Sequence, residues 1–218
     1  MTPLALSVFV SIAATFISAL LGTWLGHRLA HGALPFRRAL EALLLAPLVL
    51  PPTVIGYALL WLLGRRSLIG GAVFRALGQS ILFTRTAVIM AATIAALPLM
   101  ARTARSAFSS IDRQYVAVAR TLGATPHRVF LHVELPLAAR GLSAGVVLAF
   151  CRSLGEFGIT LMIGGSIEGE TRTASVALYG ALAAGRTSDA SALAVALLAI
   201  GVVGAIVSGW LIEDRHHA

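Results

Sequence analysis

Two segments in the C-terminal half of the chain carry side chains suited to chemistry. Arg152 and Glu156 are four residues apart, the spacing at which opposite charges pair along one face of a helix. Thr171-Arg172-Thr173 places two hydroxyl groups beside a guanidinium, a donor set that suits a tetrahedral oxyanion. A solvated loop is the other interpretation of this Thr-Arg-Thr segment.

Adjacent prolines interrupt the apolar stretch from Leu40 to Leu63. Pro51 and Pro52 lack the backbone donor that a helix needs, so we expect a kink or break there. Carbonyls freed inside a membrane need another partner, and broken helices at that depth often line a path for solutes. Two interpretations of Pro51, Pro52 and Thr53 stay open: they line such a path, or they form a structural kink in which Thr53 bonds back to the chain.

The composition limits which class of protein can hold these segments. Of the 218 residues, 58% are hydrophobic and only 12% are charged, and the mean hydropathy is +0.88. An average soluble domain is about 25% charged. The composition therefore excludes an ordinary soluble enzyme, a disordered chain and a DNA-binding domain, and it predicts an all-α integral membrane protein.

The basic residues and the single cysteine exclude several kinds of site. All 17 basic residues are arginine, so the chain has neither a phosphate-binding loop, which needs a lysine, nor Schiff-base chemistry. ATP, if used, must bind to another chain. Cys151 alone cannot form an internal disulfide or a thiolate metal cage, and we expect a small core residue. The six histidines, among them His27, His31, His127 and His132, do not predict a metal site.

Five apolar stretches are long enough to span a membrane, which takes about 20 residues. They cover residues 4–25, 40–63, 81–100, 137–154 and 191–212 of a single domain, 1–218. A sixth stretch, Ala174 to Ala184, is too short to span alone. The first stretch lacks a preceding basic segment and a clear cleavage site, so we expect a retained helix.

The arginines predict an orientation for these five spans. With the N-terminus outside, the inner segments hold ten arginines, including Arg215 near the C-terminus, and the outer segments hold six. Arginine accumulates on the cytoplasmic side of membrane proteins. We therefore expect the N-terminus outside and the C-terminus inside, although the difference in arginine count is small.

The loop 101–136 between the third and fourth spans has a helical pattern of its own. Apolar residues recur at helical spacing on both sides of Gly123, which is placed to end one helix, and Pro126 is placed to begin the next. Leu135-Pro136 then marks the entry to the fourth span. The pattern fits an amphipathic helix on the lipid headgroups and equally a helix presented to a groove on a soluble partner.

This loop resembles the cytoplasmic signature of ATP-binding-cassette importer permeases: Glu-Ala-Ala, three residues, Gly, nine residues, Ile-x-Leu-Pro. Here it reads Ala117-Val118-Ala119, three residues, Gly123, nine residues, Val133-Glu134-Leu135-Pro136. The spacing matches throughout. Ala117 replaces the glutamate of the family, which removes any polar contact that this glutamate makes elsewhere.

Two further segments resemble the molybdate branch of these permeases. They are residues 45–57, which include Leu50-Pro51-Pro52-Thr53, and residues 154–173, which include Gly155-Glu156-Phe157-Gly158 and Thr171-Arg172-Thr173. The resemblance implies a type I importer permease with about five transmembrane helices in the bacterial cytoplasmic membrane. It also implies a homodimer, two ATPase subunits that bind ATP and Mg²⁺, and a periplasmic oxyanion-binding protein, with no nucleic acid and no enzyme activity in this chain.

The resemblance also assigns candidate residues. Those expected to couple to the ATPase are Ala117, Val118, Ala119, Leu122, Gly123, Leu135 and Pro136. Candidates for the transport path or its gate are Pro51, Pro52, Thr53, Arg152, Glu156, Thr171, Arg172 and Thr173, with Glu156 in a structural or gating role because its charge repels an anion.

Two alternatives to molybdate import stay open. A sulfate or tungstate permease would have the same architecture, since no residue separates these oxyanions. An intramembrane enzyme would need a nucleophile such as Ser166 of Gly164-Gly165-Ser166, but none of the five predicted spans contains a histidine to serve it.

Overall fold

The computed structural model describes residues 1–32 and 36–213, and within these ranges it contains helices and no strands. Arg215, His216 and His217, which entered the sequence analysis, lie outside the described residues. The helices, in chain order, are α1 (Pro3–Ala30), α2 (Arg37–Val49), α3 (Pro52–Leu63), α4 (Leu68–Leu77), α5 (Arg85–Ser109), α6 (Arg113–Thr121), α7 (Pro126–Val129), a π-helical turn (Phe130–Glu134), α8 (Leu135–Leu154), α9 (Gly158–Gly164), α10 (Ala174–Ala183) and α11 (Thr187–Glu213).

The predicted all-α class is confirmed. In the described part of the chain, four helices are long and apolar enough to cross a membrane: α1, α5, the continuous helix Pro126–Leu154, and α11. The pair α2 and α3 would form a fifth span, although the two helices meet at an angle of 115°. The short apolar stretch near residue 174 forms α10, which has ten residues.

Several predicted boundaries differ from the structure because hydropathy does not detect polar helix ends. The first helix continues past residue 25 to Ala30. The third begins at Arg85 instead of residue 81 and continues past residue 100 to Ser109. The loop predicted for 101–136 is therefore shorter, because α5 occupies its start and the helix that begins at Pro126 occupies its end.

Small residues allow α1 to pack closely against α5. A β-carbon added at Gly22 would lie 2.6 Å from Met100 Cγ, and one added at Gly26 would lie 2.5 Å from Ala104 Cβ. The two glycines are four residues apart and so lie on one face of α1. This is the close packing of small residues that joins helices in a membrane, where burial of apolar surface supplies little driving force.

The second predicted span is two helices, not one interrupted helix. α2 ends at Val49 and α3 begins at Pro52, the first helical position, where the missing N–H of proline costs no hydrogen bond. Glu41 holds the start of α2 against α5. Its carboxylate accepts a hydrogen bond from Arg37 on α2 (2.8 Å) and pairs with Arg105 on α5 (2.9 Å).

The last long helix, α11, packs against α8. A β-carbon added at Gly204 would lie 2.2 Å from Cys151 Sγ, so the two helices approach closely at this point. Cys151 is a half-buried free thiol in this contact, which fits the predicted packing role.

The bundle has two distinct ends. At the α6 end lie α6, the C-terminus of α1 and the start of α2. At the opposite end the loop 165–173 closes over the bundle: Gly169 O accepts a hydrogen bond from Arg85 at the start of α5 (3.2 Å), and Ser7 Oγ on α1 accepts one from the backbone N–H of Ala174 (2.7 Å).

Candidate functional site: the α6 loop and the helix breaks

Helix α6 is closed at both ends by local hydrogen bonds. Asp112 accepts a hydrogen bond from the Gln114 N–H (2.9 Å), as an N-cap carboxylate does. After Thr121 the N–H of Gly123 donates to Arg120 O and that of Ala124 donates to Ala119 O, both at 3.0 Å. This is the Schellman pair of bonds, and it places Gly123 at φ +82°. The predicted bend at Gly123 is therefore present.

Two apolar side chains of α6, and that of Leu122 at its C-cap, are exposed. Tyr115 is 60% exposed, Val118 58% and Leu122 83%. Ala119 is half-buried, whereas Ala117 borders a cavity of about 490 Å³ between α6, the end of α1 and Glu134. The exposed apolar face matches what a helix needs in order to dock into a groove on another protein.

The helix after the bend runs without a break into the fourth span. Pro126 occupies the first position of α7, with Thr125 as its N-cap. The π-helical turn Phe130–Glu134 follows, in which the Leu135 N–H donates to Phe130 O, and Pro136 comes directly after it. A proline here removes one backbone N–H from the helix. The wider π turn before it accommodates the missing hydrogen bond and the bulk of the ring. Leu135 and Pro136 thus lie inside one helix of 29 residues.

The π turn brings together a cluster that the sequence analysis did not predict. Glu134 Oε2 lies 2.8 Å from His27 Nε2, and Glu134 Oε1 lies 2.9 Å from His31 Nε2. Phe108 and Phe130 pack edge-on against the His27 ring, with centroids 5.0 and 4.8 Å away. Imidazole and carboxylate are metal ligands, so these three residues could hold an ion. Only the i, i+4 spacing of the two histidines is visible locally, since Glu134 lies 107 residues after His27.

Two helix breaks lie against each other: the first separates α2 from α3, and the second separates α8 from α9. A β-carbon added at Gly158, the first residue of α9, would lie 2.6 Å from Pro52 Cβ, the first residue of α3. One turn further along, a β-carbon at Gly56 would lie 2.6 Å from Met162 Cβ. Thr53 is exposed, and within the described residues its hydroxyl forms no hydrogen bond, so the back-bond to the chain that belonged to the structural-kink interpretation is absent.

The predicted ion pair of Arg152 and Glu156 is present at the second break. Arg152 Nη1 donates to Glu156 Oε2 at 2.8 Å, and the Ile159 N–H donates to Glu156 Oε1 at 2.8 Å. Glu156 is 3% exposed. The carboxylate therefore joins the end of α8 to the start of α9, where it meets the positive end of the backbone dipoles.

Thr171, Arg172 and Thr173 do not form one group of converging donors. Thr171 is fully buried and its Oγ1 accepts the Ile167 N–H (3.0 Å), while Thr173 is buried with no hydrogen-bond partner for its hydroxyl. Arg172 donates to the Ser166 hydroxyl (3.1 Å) and carbonyl (3.2 Å). The contacts close the loop 165–173, and the part of these residues in transport stays a prediction.

Comparison with known families identifies this arrangement of helices. Residues 18–214 match the family described as "Binding-protein-dependent transport system inner membrane component". The chain belongs to this family. The match covers every long helix except the beginning of α1, so the permease family expected from the loop signature is confirmed.

Two curated relatives lie in one branch of the family. The chain is 39% identical to the molybdenum transport system permease protein ModB of Escherichia coli (strain K12), over 94% of this chain and 90% of that one. It is 42% identical to ModB of Mycobacterium bovis, over 95% of this chain and 77% of that one. The resemblance to molybdate permeases is thus confirmed across nearly the full length.

A solved structure has the same fold. It is the one described as "Inward facing conformations of the MetNI methionine ABC transporter", with a TM-score of 0.66 and 18% identity over 97% of this chain and 95% of that one. The importer-permease fold predicted from the sequence is therefore confirmed.

Proposed function

We propose that the chain is the membrane-spanning subunit of an ATP-driven importer that moves molybdate into the cell. The observation that carries this proposal is the 39% identity to a molybdenum transport permease over 94% of the chain. Sulfate or tungstate import by the same architecture is the alternative, because no described side chain distinguishes these tetrahedral anions.

The geometry of α6 supports coupling to a separate ATPase. The chain has no lysine and so cannot form the usual nucleotide-binding loop. The exposed apolar residues Tyr115, Val118 and Leu122 instead offer a surface for a groove on a partner that binds ATP and Mg²⁺. A push on α6 would reach the fourth span directly, since only the bend at Gly123 separates α6 from the continuous helix 126–154.

The transport path belongs at the meeting point of the two breaks. The exposed side of Pro51, Pro52 and Thr53 lies next to the start of α9, where Arg152 and Glu156 are paired. A homodimer would place two copies of this exposed side opposite one another around the path. Alternating access would then move the paired breaks between an outward and an inward arrangement. The substrate would arrive from a periplasmic oxyanion-binding protein.

The arginines around α6 support the proposed orientation. Arg102, Arg113, Arg120 and Arg128 lie in α5, α6 and α7 at or near the α6 end. Because basic residues favour the cytoplasmic side, this end faces the cytoplasm and the N-terminus of α1 lies outside. The location would be the bacterial cytoplasmic membrane, with the ATPase docked on its inner face.

The intramembrane-enzyme alternative lacks a base at the expected nucleophile. Although α1 reaches Ala30 and so includes His27, the Ser166 hydroxyl accepts its hydrogen bond from the Arg172 guanidinium, which cannot take up a proton. Replacing Ser166 by Ala should leave transport unchanged. Loss of activity from a variant that is still folded would revive the enzyme interpretation.

The decisive experiment is ATP-dependent uptake of labelled molybdate into proteoliposomes that hold this chain, its ATPase and its binding protein. We expect uptake that tungstate blocks and excess sulfate does not. Equal competition by sulfate would move the assignment to sulfate import. A complex that hydrolyses ATP but takes up none of the three anions would contradict the substrate and leave the importer architecture in place.

A further inference from the structure

The cluster of His27, His31 and Glu134 lies at the α6 end and joins two distant parts of the chain. His27 lies in the last turn of α1 and His31 is the C-cap of that helix, while Glu134 is on the π turn at the start of the fourth span. Its carboxylate is 7% exposed, whereas the His31 side chain is 40% exposed. The potential ligand atoms, one from each residue, all lie within 4.8 Å of one another.

The contacts of His31 indicate that a cation is shared between His31 and Glu134. His31 Nδ1 lies 2.9 Å from the backbone carbonyl of His27, and a carbonyl can only accept, so Nδ1 carries a proton. In the neutral ring Nε2 is then an acceptor, yet it lies 2.9 Å from Glu134 Oε1, which is also an acceptor when ionised. Two acceptors at this distance repel, so the pair needs a shared cation, which is either a proton on His31 Nε2 or a metal ion bonded to both atoms.

The surroundings also fit a metal ion bound by these three side chains. A ring nitrogen bonded to a backbone carbonyl is the usual outer contact of a metal-binding histidine, because it fixes the tautomer and orients the ring. The His27 ring is held between Phe108 and Phe130. The cavity of about 490 Å³ borders both His31 and Glu134, leaving room for a fourth ligand. Arg113 and Arg120 also line this cavity, and because their positive charges repel a divalent cation, the site would need an anionic fourth ligand such as hydroxide to offset them.

We infer that the His27–His31–Glu134 cluster binds a divalent transition-metal ion of the zinc type. Two imidazoles and one carboxylate with an open fourth position are a recurring zinc donor set. The bound ion would connect the end of α1 to the π turn, and so to the helix that follows the α6 bend.

The test measures Zn²⁺ and Co²⁺ binding to the purified full-length chain after removal of metals by a chelator. Zn²⁺ affinity is measured by calorimetry, and Co²⁺ serves as a probe because tetrahedral coordination gives visible absorption bands. Every protein in the series carries His216→Ala and His217→Ala and a tag without histidine, since adjacent terminal histidines bind such ions independently of the fold.

Binding of one ion per chain is expected, and His31→Ala and Glu134→Gln should each weaken it at least tenfold. His132→Ala is the matched control, because His132 lies on the same π turn but bonds only the Arg128 carbonyl (3.2 Å). Thermal unfolding without metal shows whether each variant is folded. Absence of one-to-one binding to the parent protein would overturn the inference and leave a proton as the shared cation. Zn²⁺ binding by the Glu134→Gln and His31→Ala variants that is as tight as binding by the parent protein would overturn it as well.

Discussion

Gly158 lies directly against Pro52, so that the first residue of α9 touches the first residue of α3. A β-carbon at Gly158 would be 2.6 Å from Pro52 Cβ and 3.4 Å from the Thr53 backbone nitrogen. The contact joins two helix starts that are 106 residues apart in the chain. A glycine is required there for space, since neither a proline ring nor a backbone atom can move away cheaply.

Gly158→Ala should therefore separate the two breaks. The added methyl group has no room, and overpacking of this kind costs about 1–3 kcal/mol. We expect a lower temperature of unfolding and a large loss of uptake. Gly155→Ala is the matched control in the same connection, because the nearest atom to its added β-carbon, the carbonyl oxygen of Cys151, would be 3.7 Å away. Similar behaviour of the two variants would contradict the contact.

The packing of α1 against α5 makes a second prediction. Gly26→Ala would place its β-carbon 2.5 Å from Ala104 Cβ and 2.7 Å from the Arg105 backbone nitrogen. We expect a loss of stability of about 1–3 kcal/mol, read as a lower temperature of unfolding in detergent.

Gly201→Ala is the comparison for this second prediction, since nothing lies within 4 Å of its added β-carbon. It replaces a helical glycine by the best helix former and should be neutral or slightly stabilising. A destabilised Gly201→Ala beside an unaffected Gly26→Ala would show that the described contact between α1 and α5 is wrong.

Breaking the pair of Arg152 and Glu156 should be costly. Arg152→Gln leaves a carboxylate that is 3% exposed without its cation, and Glu156→Gln leaves the guanidinium without its anion. Removing one partner of a fully buried pair costs about 3–5 kcal/mol and an exposed pair is worth about 0–1 kcal/mol, and this pair lies between the two because the Arg152 side chain is 28% exposed. Both variants should unfold at lower temperature, with Glu156→Gln milder because its amide oxygen can still accept the Ile159 N–H.

The exposed pair of Arg186 and Asp189, 3.5 Å apart, is the control for this ion-pair prediction. A double-mutant cycle on unfolding should give a coupling free energy for Arg152 with Glu156 well above that for Arg186 with Asp189. Equal couplings would mean that the buried pair contributes no more than a surface one.

Substitutions at Gly123, in the bend after α6, should act through the backbone conformation that they tolerate and not through the size of the side chain. Gly123 has φ +82°, and a β-carbon there would meet nothing within 4 Å. Val disfavours this left-handed conformation by about 1–2 kcal/mol, while Asn tolerates it. We expect Gly123→Val to reduce co-purification of the ATPase and coupled hydrolysis, and Gly123→Asn to retain most of both. An intact, fully coupled complex with Val would refute the role of the bend in docking.

The α6 loop was predictable because its signals are local. Gly123 and Pro126 act on their immediate neighbours through a positive φ and a missing N–H, so the bend follows from residue type. The i, i+4 pair of Arg152 and Glu156 was visible for the same reason. The meeting of Pro52 with Gly158, and of Glu134 with His31, depends instead on how separate helices pack, which no local pattern encodes. Hydropathy likewise missed the polar last turns of α1 and α5, since helices continue past the apolar segment.

The fit of Gly22 and Gly26 against α5 also has a consequence for the order of synthesis. α1 leaves the ribosome before α5, and its partners Met100 and Ala104 are translated more than 70 residues after Gly22 and Gly26. The notch made by the two glycines must therefore face lipid or the insertion machinery while α2 to α4 are being made. The contact between α1 and α5 can therefore form only when α5 arrives beside α1.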